Sequence, residues 1–212
     1  MKRKINEILV LIIGSLFLIS CGPTKHYVSH ILNKEDINRL KSKKTIIKAS
    51  DNVDLDEFVT TFNKMFTSKA DFSEKFKKTF RSKLKNSVLF SNVEVGEINT
   101  FDLLREKSRS DYLIYLSNFE VTNRIEMRNS PATVGPNNFG TMHTTSVEYC
   151  VINVKVNIYD LKTKRKVHEF TAIGESSVFL FNFKNTLNKA KERAITHIIN
   201  YLNSGKTLYK QY

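Results

Sequence analysis

Between Tyr149 and Tyr159 the chain sets Cys150, Ile152, Val154, Val156 and Ile158 at every second position, with Val151, Asn153, Lys155 and Asn157 between them. Successive side chains of a β-strand point to opposite faces, so this pattern is a strand with one buried and one wet face. Such a strand belongs in an antiparallel sheet with helices on one side only. Asp160 to Lys164 then reads as a turn, and Val167 to Ile173 as the returning strand. Upstream, Ser110 to Leu116 is strongly β-prone. Its inward set, Tyr112, Ile114 and Leu116, changes phase by Phe119 and Val121, which predicts a bulge between them.

The helical signals have a different period. Leu55, Phe58, Val59, Phe62 and Phe66 fall on one face, after an acidic start at Asp54-Leu55-Asp56-Glu57 that reads as a capped N-terminus. Phe72, Phe76, Phe80 and Leu84 keep i,i+4 spacing behind Asp71 and Glu74, as one helix with the first run or as a second one broken near Ser68. Leu187, Ala190, Ala194, Ile198 and Leu202 mark a closing helix, with Gly205 just past its end. Fifteen Phe and 41% hydrophobic residues are enough for a packed core. Shorter elements are expected at residues 33–40 (helix), Thr45 to Ala49 (strand), Val88 to Val95 (strand) and Phe101 to Lys107 (helix). The order β, long α, β, short α, three antiparallel strands, closing α predicts an α+β fold. It has two layers, a mixed or antiparallel sheet with helices packed on one face.

The N-terminus carries an address. Lys2, Arg3 and Lys4 precede an apolar run from Ile8 to Ile19, interrupted only by Gly14 and Ser15. That run is short for a membrane span, which needs about 20 apolar residues, and suits a signal peptide. Leu18-Ile19-Ser20-Cys21 resembles the lipobox of bacterial lipoproteins. The resemblance implies cleavage before Cys21, lipidation of Cys21, and attachment to a membrane through N-terminal acyl chains. Two or more chains hold a protein stably where one does not. The organisation expected is a signal peptide over 1–20, a lipidated cysteine and tether over 21–32, and a single α/β domain over 33–212. Gly22-Pro23-Thr24-Lys25 has no Asp after the cysteine. Its absence implies the outer membrane, with the domain on the periplasmic face, or the outer face of the plasma membrane in a Gram-positive host.

The formal net charge is +13. Removing residues 1–20 takes away Lys2, Arg3, Lys4 and Glu7 and leaves +11. This excess favours anionic partners such as lipopolysaccharide or anionic lipid, though Lys spread over every helix also fits compositional drift. A secreted chain is not expected to meet nucleic acid. Residues 123 to 145 read as one long connection, broken by Pro131, Gly135, Pro136, Asn137, Asn138 and Gly140 around Phe139. Long loops in compact domains are often functional, so these seven residues form the candidate partner loop; the alternative is an elongated hairpin tip without a role.

Ser110-Asp111-Tyr112-Leu113-Ile114 is similar to the "A-D-Y-L-V" run that opens a strand in a group of small envelope lipoprotein domains. Val154 to Lys164 is similar to that group's "v-x-v-x-l-x-D-x-x-T-G" hairpin. The group includes the TolB amino-terminal domain, the curli-secretion lipoprotein and the activator lipoproteins of penicillin-binding proteins. This chain has Lys164 where the group has Gly. The strand and helix order behind a lipobox also resembles the lipopolysaccharide-assembly lipoprotein that plugs the outer-membrane translocon. Both resemblances imply an accessory role in the envelope, and neither carries a functional residue over.

Catalytic signatures are missing. The sequence has no G-x-S-x-G, H-E-x-x-H or C-x-x-C, no phosphate-binding glycine loop, and only seven Gly. His26 and His30 are spaced to share a helical face but lack a third ligand, and His143, His168 and His197 lie in separate elements. Cys150 sits on the apolar side of its strand as a small hydrophobe. A non-enzymatic accessory or assembly subunit with an envelope protein partner is therefore expected, without catalytic residues, metal or cofactor. The alternative is a lipopolysaccharide or anionic-lipid binding or transport lipoprotein.

Overall fold

The computed structural model describes residues 25–32, 40, 43–85, 93–96, 109–130, 143–207 and 209–210. In chain order these form β1 (Lys25–His26), β2 (Val28–Leu32), β3 (Thr45–Ala49), β4 (Val53–Leu55), α1 (Val59–Met65), α2 (Lys69–Lys85) and β5 (Val93–Val95). They continue as β6 (Tyr112–Ser130), β7 (His143–Asp160), β8 (Arg165–Ser177), α3 (Phe183–Ser204) and β9 (Tyr209–Lys210). The main sheet runs β2-β8-β7-β6-β3-β5, with β4 also on β6, while β1 pairs with β9 separately. β6, β7, β8 and β2 are antiparallel neighbours; β3 lies parallel to β5 and β6, and β4 parallel to β6. The fold is α+β with a mixed sheet.

The core is built from the expected periodicities. Cys150, Ile152, Val154, Val156 and Ile158 are all fully buried, as are Phe72, Phe76, Phe80 and Leu84 of α2 and Leu187, Ala190, Ala194, Ile198 and Leu202 of α3. Phe119 joins sheet to helix, meeting Phe72 edge-on at 5.4 Å and Phe76 at 5.1 Å between ring centroids. Such pairs add about 0.5–1.5 kcal/mol beyond their burial. Gly205 closes α3 at φ 64°, where its N–H donates to the Tyr201 carbonyl.

The bulge lies between Leu116 and Asn118, where Ser117 is the extra residue. Asn157 Nδ2 donates to Ser117 Oγ at 2.7 Å. The insertion turns Phe119 and Val121 inward, and there the partner of β6 changes from β3 to β4. Backbone bonds from Ser50 N to Leu116 O and from Phe119 N to Asn52 O stitch the change-over.

Three expectations need correction, and one open alternative is settled. Asp54 and Leu55 belong to β4, not to a helix cap; α1 begins at Val59 behind Phe58, whose φ is 59° and which makes no side-chain cap. Parallel pairing with β6 claims the acidic stretch, with Asp56 N and Glu57 N donating to Val121 O. The aromatic helices are two: Phe66 is extended, and α2 restarts where Ser68 Oγ accepts from Asp71 N and Asp71 Oδ2 accepts from Thr67 N. Val28–Leu32, expected in the tether, is an edge strand on β8 with Val28 buried. Most of the connection expected over 123–145 is strand, for pairing continues through Ser130↔His143. Its one-sided pattern is short, Ile125 and Met127 against Arg124, Glu126 and Arg128, and polar residues fill 128–130 and 143–146.

The sheet face away from the helices is not uniformly wet. Ile46, Leu113 and Leu161 form a small buried cluster there with Tyr115 and Tyr159 against it. Its charges are largely matched: Lys44 with Glu94 at 2.9 Å, Lys155 with Glu169 at 2.9 Å, and Lys166 with the same Glu169. The helix at Phe101 to Lys107, nearly all of the helix at 33–40 and the first part of the strand at Val88 to Val95 lie outside the described residues.

Candidate functional site: a two-stranded arm and its root

Strand β8 ends at Ser177, opposite Tyr149. Beyond that point β6 and β7 run on alone for six paired positions, Ile125↔Glu148 to Ser130↔His143. At about 3.3 Å per residue this arm extends roughly 20 Å past the third strand. Its helix-side face exposes Ile125 and Met127, which are 60% and 70% accessible.

The other face of the arm is braced by charge. The Arg124 guanidinium stacks over the Tyr149 ring at 4.3 Å, donates to Glu126 Oε2 at 3.1 Å and reaches Glu175 Oε2 at 3.4 Å. Arg128 donates to Glu126 Oε1 at 3.0 Å and to the Tyr149 hydroxyl at 2.8 Å. Desolvation pushes the Glu126 carboxyl up, but hydrogen bonds from the two guanidiniums outweigh it and hold it below the usual carboxylate range. Glu126, with Tyr149 beside it, raises the Arg128 guanidinium in turn. An isolated two-stranded ribbon is marginal in water, and this ladder of cross-strand and same-face contacts stiffens it.

The arm's root is the end of the molecule where β8 turns into α3. Val178 N donates to Glu148 O, fixing the turn against β7. The turn then exposes Phe179, Leu180 and Phe181 at 72%, 78% and 85%. Beside it an open hollow of about 500 Å³ is lined by Phe58, Val59, Thr61, Lys64, Glu148 and Phe183. Phe183 meets Phe58 at 5.9 Å and Phe181 at 6.4 Å. Sequence reasoning missed this turn. The signal was present: an apolar run, Val178-Phe179-Leu180-Phe181, where a connection normally carries Gly, Asn, Asp, Ser or Pro.

Cys21 and the candidate loop residues Pro131, Gly135, Pro136, Asn137, Asn138, Phe139 and Gly140 lie outside the described residues. The arm ends where that loop begins. His26 and His30 belong to strands, so the helical spacing considered for them does not arise; His30 is exposed at φ 51°. His168 is buried against the Tyr201 hydroxyl at 3.0 Å. His197 bonds the Ile173 carbonyl and lies under Tyr27 at 4.4 Å, and burial lowers its pKa while that carbonyl opposes the shift. Cys150 is buried and unpaired; burial, reinforced by Glu148, pushes its thiol up to about 12. Asp160 is a turn residue, its Oδ1 accepting from Lys162 N at 2.8 Å and Thr163 N at 3.0 Å. Among the described residues no three His, Cys, Asp or Glu side chains are grouped to hold a metal ion. No helix among them is long and apolar enough to cross a membrane.

No protein-family model and no curated protein matches the chain. It is similar to solved structures at low level. A neuraminyllactose-binding hemagglutinin homolog from Helicobacter pylori aligns at 11% identity and TM-score 0.39, over 84% of this chain and 94% of that one. The PelC L103M dodecamer from Paraburkholderia phytofirmans aligns at 10% and 0.41, over 88% and 100%. The hypothetical protein CT253 from Chlamydia trachomatis aligns at 7% and 0.36, over 75% and 98%. Likeness at this level transfers neither activity nor partner to this chain.

Proposed function

We propose that the chain is a lipid-anchored envelope lipoprotein that works as a non-enzymatic accessory or assembly subunit through protein–protein contacts. The β6–β7 arm is its contact element. The observation that carries this reading is the arm itself: a charge-braced ribbon that exposes Ile125 and Met127. The lipobox residues up to Cys21 support the anchor, at the outer membrane facing the periplasm, or on the outer face of the plasma membrane in a Gram-positive host. A photocrosslinking side chain at Met127 tests the reading in cells. It is expected to give one adduct of fixed mass with an envelope protein, absent when the probe sits at Thr163 at the far end of β7 and lost with Cys21→Ala. Equal labelling from both positions, or none from Met127, counts against the arm.

The second reading, binding of lipopolysaccharide or anionic lipid, rests on the charge of +13. On the open sheet face Lys44, Arg124 and Lys155 pair with Glu94, Glu126 and Glu169. Saturable, salt-sensitive binding of lipopolysaccharide would support it.

A further inference from the structure

We propose that the β8–α3 turn, Phe179-Leu180-Phe181, inserts into the lipid surface of the membrane that holds the chain. This rests on the reading that Cys21 is acylated. Among the described residues the three most exposed large hydrophobic side chains are these three neighbours. Turn chemistry does not ask for them. Leu180 and Phe181 are held at φ 48° and 57°, in the left-handed region that Gly or Asn adopts at least cost. The turn is closed by its own backbone, Asn182 N to Phe179 O at 3.0 Å and Phe183 N to Phe181 O at 2.9 Å. The apolar tips are therefore presented outward from a fixed base.

The chain's path leaves the turn within reach of the anchor. Ile173 N donates to Tyr27 O, and Val28 pairs with Ala172 in an antiparallel register. Moving from Val28 toward the N-terminus therefore leads toward Ser177. Tyr27 stands level with Ile173, and Val178 is five residues further, about 17 Å along the strand. Cys21 is six residues before Tyr27, a reach of up to about 20 Å. One membrane plane can hold both the acylated cysteine and the turn.

Charge favours lipid as the occupant over a protein or a second copy. From residue 176 to residue 191 there is no acidic side chain, and Lys184 and Lys189 are exposed on the first turns of α3. Lys189 borders a hollow of about 320 Å³ that Phe179 and Leu180 also line. Aromatic side chains at the headgroup level with Lys behind them match the interface of an anionic bilayer. The arm leaves the same end of the sheet as the turn, so an inserted turn requires the arm to lie along the membrane surface rather than point away from it.

The chain has no Trp, so one introduced indole is a unique fluorescent reporter. The lipidated full chain carrying Phe181→Trp is reconstituted into vesicles of phosphatidylethanolamine and phosphatidylglycerol doped with brominated phosphatidylcholine. Thr163→Trp, in the exposed β7–β8 turn at the other end of the sheet, is the control. Emission from the Phe181→Trp variant is expected to shift to the blue and to be quenched severalfold more than emission from the control. A chain that floats with the vesicles but leaves the reporter at position 181 unquenched overturns insertion and leaves the anchor standing. A blue shift without quenching means that a protein or a second copy covers the turn, and also overturns it. Equal quenching at both positions overturns the orientation. A chain that stays out of the vesicle fraction overturns the anchor and the insertion together.

Discussion

Gly174 of β8 lies directly beneath Ala194 of α3: a Cβ on the glycine would stand 2.3 Å from the Ala194 backbone nitrogen and 2.1 Å from the Ala190 carbonyl oxygen. Both clashes are with helix backbone, which cannot swing aside as a side chain does. Gly174→Ala therefore has to push α3 away from the sheet. Overpacking of this kind costs about 1–3 kcal/mol or more. At about 2–4 °C per kcal/mol for a domain of this size, the melting temperature should fall by roughly 2–12 °C. Thermal unfolding followed by circular dichroism measures it, and an unchanged midpoint would show that the helix is not seated on this glycine.

The same ring type has opposite value at the two ends of the core. Phe76→Ala removes a fully buried ring that touches Phe72 and Phe119 and should cost about 3–5 kcal/mol. Phe181→Ser should change stability by no more than about 0.5 kcal/mol. Urea midpoints of the two variants compare them directly; a large loss from Phe181→Ser would mean that the turn is structural.

Lys164 occupies the left-handed region at φ 55° in the β7–β8 hairpin. A left-handed non-glycine residue costs roughly 1–2 kcal/mol, and the extra freedom of glycine in the unfolded chain returns part of it. Lys164→Gly should be neutral to stabilising, by up to about 1 kcal/mol. A destabilised variant in equilibrium unfolding would show that the interaction of the Lys164 side chain outweighs the backbone strain.

The Cys150 thiol supplies a pH prediction. Its folded pKa, about 12, lies above its unfolded value. Its contribution is full below the unfolded pKa, near 9, and is lost as pH rises from there toward 12. Alkaline unfolding should therefore be milder in Cys150→Ala once its constant cavity penalty is subtracted. In native protein at a pH of about 8 the thiol should resist alkylation and become reactive on adding guanidinium; rapid native labelling would contradict its burial.

What could be read from the sequence were the patterns repeated along one element. The alternation from Cys150 to Ile158, the i,i+4 Phe stripe, the phase change between Leu116 and Phe119, and the Gly205 cap each needed only neighbours in the chain. What escaped depends on distant partners. Asp54-Leu55-Asp56-Glu57 carries the signals of a helix start, yet it is claimed by parallel pairing with Phe119 to Val121. Val28 to Leu32 is too short to announce itself, and becomes a strand because Glu169 to Ala172 offers an edge. The arm resembles a loop in sequence because on β6 its apolar alternation amounts to Ile125 and Met127, two residues among polar neighbours.

The edge position of β2 has a mechanical meaning. The chain enters the sheet at Val28 and runs along β8 only as far as Leu32. A pull on an anchored N-terminus is directed along that strand, so the β2–β8 bonds are sheared together rather than peeled one by one. Tension between membrane and partner would meet the β1–β9 pair first and then this short seam, and the domain would give up Val28 but keep the rest of its core while β2 slipped. The strand would then serve as a fuse between the anchor and the body of the protein.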